Sequence, residues 1–291
     1  MTFPVGMSDI QAAHEAGRYW LSFAHKTTAT TPGAAGQWGD LSMGAGTPKY
    51  NAYVGAQLEF TQLVNTNNSA FYTGPTPAAG EAKVVESVGF QSTQGTGNVP
   101  LTVYWCDYLG FYPLIDGDDN EIQSFANTAS LPRYSSGEGV RAFLVTTSPS
   151  TTNGTATLIY TDSDGTAGKS VTFGVAASSN LGAIANRQGS TVAANTAGPF
   201  IALASGSNGI RSCESIQFPT AIGGFHALVL CRPLFSQMIR EASTWTEYDL
   251  YRHYGIHLPR LYDGHFVQPI FITSGTGNPA TVRARMRVYW G

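Results

Sequence analysis

Residues 199–234, PFIALASGSNGIRSCESIQFPTAIGGFHALVLCRPL, decide the fold class. Phe200–Leu203 is short and apolar, and Ser205-Gly206-Ser207-Asn208-Gly209 collects residues that tolerate positive φ, so the chain reverses there. From Ile210 to Phe218 the pattern alternates. Ile210, Ile216 and Phe218 fall on one side and Arg211, Ser215 and Gln217 on the other, as in a half-buried strand. Pro219 and Gly223-Gly224 punctuate. Phe225–Cys231 is then an almost unbroken apolar run, which suits a strand covered on both faces. Three strands and two turns therefore form the centre of an all-β sandwich, and nothing in them is catalytic.

Working outward, the same rhythm recurs. Candidate strands are Ala52–Val64, Lys83–Phe90, Leu101–Leu109, Val140–Val145, Thr155–Thr161 and Ser170–Val175, the last two joined through an Asp164-Gly165 hairpin signal. Strands and turns at this spacing indicate a sandwich or jelly roll. Residues 176–198 read as loop. At the N-terminus, Ser8–Leu21 is expected to be helical, with Ser8 and Gln11 as a capping box. Thr27–Tyr50 is rich in Thr, Gly, Ala and Pro without a period, so an extended arm is expected, with Trp38 as an anchor against a partner. Phe235–His257 looks helical, with a Thr244/Glu247 capping box and Gly255 as the stop. Phe266–Thr273 and Ala280–Trp290 make a last pair of strands. The expected fold is mainly β, sandwich or jelly-roll-like. Its expected segments are 1–50 (helix and arm), 51–234 (sandwich) and 235–291 (helix and hairpin packing on it).

Charged residues are only 12% of the 291, about half the usual quarter, so hydroxyls and amides must keep the surface wet. Few ions then need desolvating at an interface, which favours an assembly component, a homo-oligomer among them. The net charge of −3 offers no general attraction to nucleic acid or anionic lipid. No window is long and apolar enough to span a membrane, and the N-terminus lacks the pattern of a signal peptide. Cys106, Cys213 and Cys231 make no CxxC; they read as small buried thiols, although Cys213 and Cys231 could meet on neighbouring strands.

Few constellations suggest chemistry. Asp116, Asp118, Asp119 and Glu121 crowd one turn and could offer oxygens to calcium, but the spacing matches no EF-hand. Asp249, His253 and His257 recur every fourth residue, yet Gly255 interrupts them and no HExxH is present. No nucleophile elbow, phosphate loop or dinucleotide fingerprint occurs, so neither an enzyme nor a cofactor is indicated. The sharpest electrostatic feature is Arg283, Arg285 and Arg287 on one face of the last strand, opposite Val282, Ala284, Met286, Val288 and Trp290. Like charges so close require acids or phosphates, from Asp116, Asp118 or Asp119, from the acidic surface of a neighbouring subunit, or from nucleic acid.

Five blocks, WCDYLGFYPLIDGDD (105–119), LPRYSSGEGVRAFL (131–144), LIYTDSDGTAGKS (158–170), GSNGIRSCESIQF (206–218) and CRPL (231–234), resemble a family of tailed-bacteriophage virion proteins. The resemblance covers Leu101–Leu234. It implies an all-β, non-enzymatic virion component made in the host bacterial cytoplasm. Its partner would be the major capsid protein, which it would decorate and cement, or other virion proteins of the neck or tail. On that reading the Thr27–Tyr50 arm and the arginine strand make the contacts, and a chain lacking residues 1–50 keeps a folded core but no longer binds heads. The alternative is a carbohydrate-binding virion protein that stacks sugars on Tyr104, Tyr108 and Tyr112.

Overall fold

The computed structural model describes residues 6–27, 37–65, 70–92, 99–178, 180–187, 198–255, 257–273 and 281–291. In chain order the elements are α1 (Met7–Glu15), β1 (Tyr19–Thr27), β2 (Trp38–Asp40), a 3-10 turn (Leu41–Met43), β3 (Ala45–Thr47), β4 (Thr61–Gln62) and β5 (Lys83–Ser92). Then follow β6 (Leu101–Asp116), β7 (Gln123–Ser124), β8 (Arg141–Thr146), β9 (Gly154–Asp162), β10 (Lys169–Val175), β11 (Asn186–Arg187) and β12 (Ile210–Gln217). The chain closes with β13 (Phe225–Ile239), β14 (Thr246–Asp249), α2 (Leu250–Tyr254), β15 (Arg260–Leu261), β16 (Val267–Thr273) and β17 (Val282–Trp290).

These strands make three antiparallel sheets. A spine sheet runs β2-β16-β6-β13-β8, with β4 on β6; a terminal sheet runs β14-β5-β17-β1-β3, with β15 on β5; a small sheet runs β11-β10-β9-β12-β7. The mainly-β sandwich class read from the sequence is the class observed. The organising pair is β6 with β13, in register from Phe225↔Asp116 to Ile239↔Leu101 with three bulge-like shifts. At about 3.3 Å per residue such a pair is roughly 50 Å long, enough to carry two other sheets side by side.

At one end of the spine, Leu101, Val103, Trp105, Phe235 and Ile239 pack against Val85, Val88, Phe90, Ala284 and Met286 of the terminal sheet. At the other end, Leu109, Tyr112, Ile115, Leu228 and Leu230 pack against Leu158, Tyr160, Phe173 and Ile216 of the small sheet. The alternate residues Cys106, Tyr108, Val229 and Cys231 fill a third core with Trp38, Met43, Tyr53, Leu63 and Ile184. Because this part of the spine is buried on both faces, Ala227–Cys231 has no polar side to alternate with, while Phe225 at the start of the strand is exposed.

Several expectations are corrected. The first helix stops at Glu15; Gly17, at φ 70°, breaks it, and Tyr19–Leu21 join β1, which zips onto β17 from Tyr19↔Tyr289. Its N-cap is Gly6, whose N–H is accepted by the Asp9 carboxylate at 3.0 Å, not Ser8. Residues 28–36 of the expected arm lie outside the described residues. The rest of it is no free arm: β2 pairs with β16, and Trp38, Leu41 and Met43 are buried. Ala52–Val64 yields only the two-residue β4, because Tyr53 and Leu58 adopt positive φ (50° and 57°) and kink the backbone out of alternation. Phe200–Leu203 is not a strand; one backbone bond, Ile201 N–H to Ala142 O at 2.8 Å, ties it down.

Phe235–His257 is mostly not helical. β13 continues to Ile239 because Leu101–Trp105 offer it a partner, and the helix shrinks to Leu250–Tyr254 with Asp249 as its cap. Gly255 does end it, at φ 59°. The terminal sheet takes β1 from segment 1–50, β5 from 51–234 and β14, β15 and β17 from 235–291, and β13 crosses the boundary at 234. No helix among the described residues is long and apolar enough to cross a membrane.

Candidate interface

The arginine row lies on the outer face of the terminal sheet. β17 is flanked by β1 and β5, so each arginine has two cross-strand neighbours. Arg283 faces His25 and Gln91, Arg285 faces Phe23 and Gly89, and Arg287 faces Leu21 and Ser87. Val282, Ala284, Met286, Val288 and Trp290 point inward and are buried, as the alternation requires. Tyr289 continues the outward set but is buried, because α1 lies against that end with Ile10 and Ala13.

The acids that answer the row are Glu247 and Glu86. Arg285 Nη2 donates to Glu247 Oε2 at 2.5 Å, and Arg287 lies 3.7 Å from Glu86, which His14 also approaches at 3.1 Å. Asp116, Asp118 and Asp119, the acids expected there, are on the far end of β6 and in the turn beyond it. Arg283 is exposed and has no acidic partner among the described residues. Beside it, Phe23 is 62% exposed, the most exposed aromatic ring on this sheet, and Arg285 also lies over Trp245 at 5.4 Å. The alternation of Tyr19, Leu21, Phe23 and His25 was the signal for Phe23, hidden by reading Tyr19–Leu21 as helix.

Trp38 is not an exposed anchor. It is 6% exposed, packs edge-on against Tyr104 and belongs to the third core. Two residues on, Asp40 is fully enclosed. Ser42 N–H (2.9 Å) and Tyr108 Oη (2.8 Å) donate to its Oδ1, and Ser42 Oγ (2.8 Å) and Tyr53 Oη donate to its Oδ2. Burial pushes the Asp40 carboxyl up, and the four donors oppose that. Lys26 donates to Gly44 O at 3.0 Å nearby; burial lowers its pKa to about 8 against the attraction of Asp40. This network pins residues 40–53 to the spine.

The glycan-stacking trio is likewise dismantled. Tyr108 and Tyr112 are buried; Tyr108 holds Asp40, and Tyr112 donates to Asn127 Oδ1 at 2.6 Å. In the acidic turn, Asp118 N–H donates to Asp116 Oδ1 and Glu121 N–H to Asp119 Oδ1, both at 2.9 Å, so these carboxylates shape the turn. No group of three or more His, Cys, Asp or Glu among the described residues could hold a metal ion. Asp249 caps α2, His253 stacks on Tyr248 and His257 lies beyond Gly255, so the stripe read from their spacing does not form. All three cysteines are free and buried. Cys213 lies in the small sheet's core, and the neighbour of Cys231 is Cys106.

Among the described residues a hydroxyl meets an imidazole at Thr73 and His265. His265 Nε2 and Thr73 Oγ1 are 2.6 Å apart, with the Nδ1–H of His265 donating to Tyr262 O at 2.9 Å. Thr73 is 1% exposed, and burial lowers the imidazole to about 4, leaving a weak base at neutral pH. Lys83 beside it donates to the carbonyls of Thr73 and Pro75 at 2.9 and 2.7 Å. The cluster holds the 72–76 loop rather than presenting a nucleophile.

No family model matches the chain, and no curated protein matches it. Among solved structures it is similar to the infectious bursal disease virus VP2 subviral particle, at 11% identity and TM-score 0.16, over 94% of this chain and 80% of that one. It is also similar to a mutant VP2 protein of the same virus in derived T=1 particles, at 10% identity and TM-score 0.18, over 93% and 77%. Likeness at these TM-scores carries no argument.

Proposed function

We propose that this chain is a non-enzymatic structural component of a tailed-bacteriophage virion that decorates the capsid, docking the outer face of its terminal sheet on the major capsid protein lattice. The observation that carries the reading is that Phe23, exposed opposite Arg285 on β1, lies diagonally from Arg283, which is exposed and without an acidic partner among the described residues, on a face otherwise built of sheet. Aromatic and arginine side chains are enriched at interfaces, where a ring supplies area and a planar cation supplies direction. The sequence blocks between Leu101 and Leu234 support the virion assignment. The buried carboxylates Asp40 and Asp107 accept hydrogen bonds from neighbouring protein groups, which suits a rigid block.

Co-sedimentation of the full chain with phage heads that lack it, across a salt series, tests this. Saturable binding at a fixed ratio to the capsid protein, weakening with salt, is the expected result. No binding at low salt moves the chain off the capsid to neck or tail.

A further inference from the structure

β8 covers β13 only from His226 to Cys231, so the second half of β13 is an edge of the spine sheet. β14 is an edge of the terminal sheet. The turn 240–245 joins these two strands, and between them lies a groove of about 720 Å³. Ligand-binding clefts span roughly 300–1,000 Å³. Its floor holds an anomaly. Gln237 is 3% exposed, lines the groove, and has no hydrogen-bond partner on its amide nitrogen or its amide oxygen among the described residues. A buried amide with both atoms unmatched is costly, and a ligand bearing a donor and an acceptor side by side would satisfy it.

The walls narrow the chemistry. Trp245 is 41% exposed and is steadied by Arg285 over its ring at 5.4 Å. Met238, 51% exposed, stands on the β13 side. Opposite it, Tyr248 and His253 stack at 3.8 Å and 8°. Ser236 adds a hydroxyl, and the charges at the rim (Arg240, Glu241, Glu247) balance to within one unit. Apolar rings beside an amide, without a dominant charge, suit a neutral ligand with an apolar face and neighbouring hydroxyls. Because the 240–245 turn stops the groove at one end, a short ligand fits better than a strand running past.

We infer that this groove is a saccharide-binding site, in which a neutral sugar ring lies against Trp245 and adjacent hydroxyls pair with the amide of Gln237. It borders the capsid-docking face through Arg285, which pairs with Glu247 and lies over Trp245, but it does not depend on the capsid reading.

The test is an array of neutral oligosaccharides of hexose and N-acetylhexosamine, probed with the full chain, followed by titration of the hits. Specific hits are expected. Gln237→Leu should weaken them by about tenfold or more, the loss expected when both amide hydrogen bonds go. Gln237→Glu, nearly isosteric, should weaken them as well, and Trp245→Ala should abolish them. Near-ultraviolet circular dichroism checks that each variant is folded. Arg283→Glu should leave saccharide binding unchanged while impairing head binding, so the two readings fail separately. Silence across the array overturns the site. So does a folded Gln237→Leu that binds as well as the parent, or a groove that takes an extended peptide and no sugar.

Discussion

Arg133 grips Asp107 with two donors, Nε to Oδ2 at 2.9 Å and Nη2 to Oδ1 at 2.8 Å, where β6 passes from the terminal-sheet core to the small-sheet core. Trp105 lies in the first core and Leu109 in the second. The guanidinium also donates to the carbonyls of Gly264 and Tyr108, both at 2.8 Å, and the Asp107 carboxylate accepts the Phe266 N–H at 2.8 Å. One pair thus joins the 131–134 loop, the spine and the entry to β16.

Removing half of such a pair leaves a buried charge. Arg133→Met should lower unfolding free energy by about 3–5 kcal/mol. Adding Asp107→Asn should return a substantial part of the loss, because the uncompensated carboxylate is gone. Urea denaturation of the single and double variants checks this; equal losses in both would show that packing of the long side chain dominates.

Residues 1–50 should be indispensable to folding. β1 pairs with β17 along eight positions, and Ala24 and Ile10 belong to the first core. A chain starting at residue 51 should expose β17 and aggregate or melt non-cooperatively, contrary to an arm that can be removed freely. Size-exclusion chromatography and thermal melting decide it.

Trp38→Ala should act on stability. Truncating a buried tryptophan costs about 3–5 kcal/mol. In the variant that remains folded at low temperature, head binding per folded molecule should be unchanged, because the ring faces its own core.

Phe23→Ser and Arg283→Glu should do the reverse. Both side chains are exposed, so melting temperature should move little, while binding to heads falls by about tenfold or more. For Arg283→Glu the salt dependence of binding should also flatten.

Stability should fall in mild acid. Burial holds His265 near 4, below its ordinary 6.5, with Lys83 and Arg133 also disfavouring its charge and Asp107 favouring it. The unfolded chain therefore binds more protons between pH 6.5 and 4, and stability drops as pH falls through that window, by up to about 3 kcal/mol for this group. His226, also near 4 because of burial, adds a similar share. His265→Gln should remove about half of the acid limb in denaturation series between pH 7 and 4.

The strands were legible wherever a side-chain pattern was enforced locally. Lys169–Val175 and Ile210–Gln217 carry their turns beside them, and the last strand's apolar and arginine faces are read directly from alternation. The helix read over 8–21 forms only as far as Glu15; its end was overrun because Tyr19 and Trp20 suit a helix or a strand alike, and β17, some 270 positions away, settles the choice. Phe235–Ile239 failed in the same way, having Leu101–Trp105 as its partner.

The sequence by itself determined the mainly-β class, the positions of the main turns and the inward and outward faces of β17, because these follow from side-chain period and backbone φ. Tertiary structure alone decided that Glu86 and Glu247 meet the arginines, that Trp38 and Tyr108 point into a core, and that Gln237 lies in a groove without a hydrogen-bond partner among the described residues. Each of those depends on which strands become neighbours across long stretches of chain. Pairing of that kind is set by the summed burial of three cores and leaves no local mark on the residues it brings together.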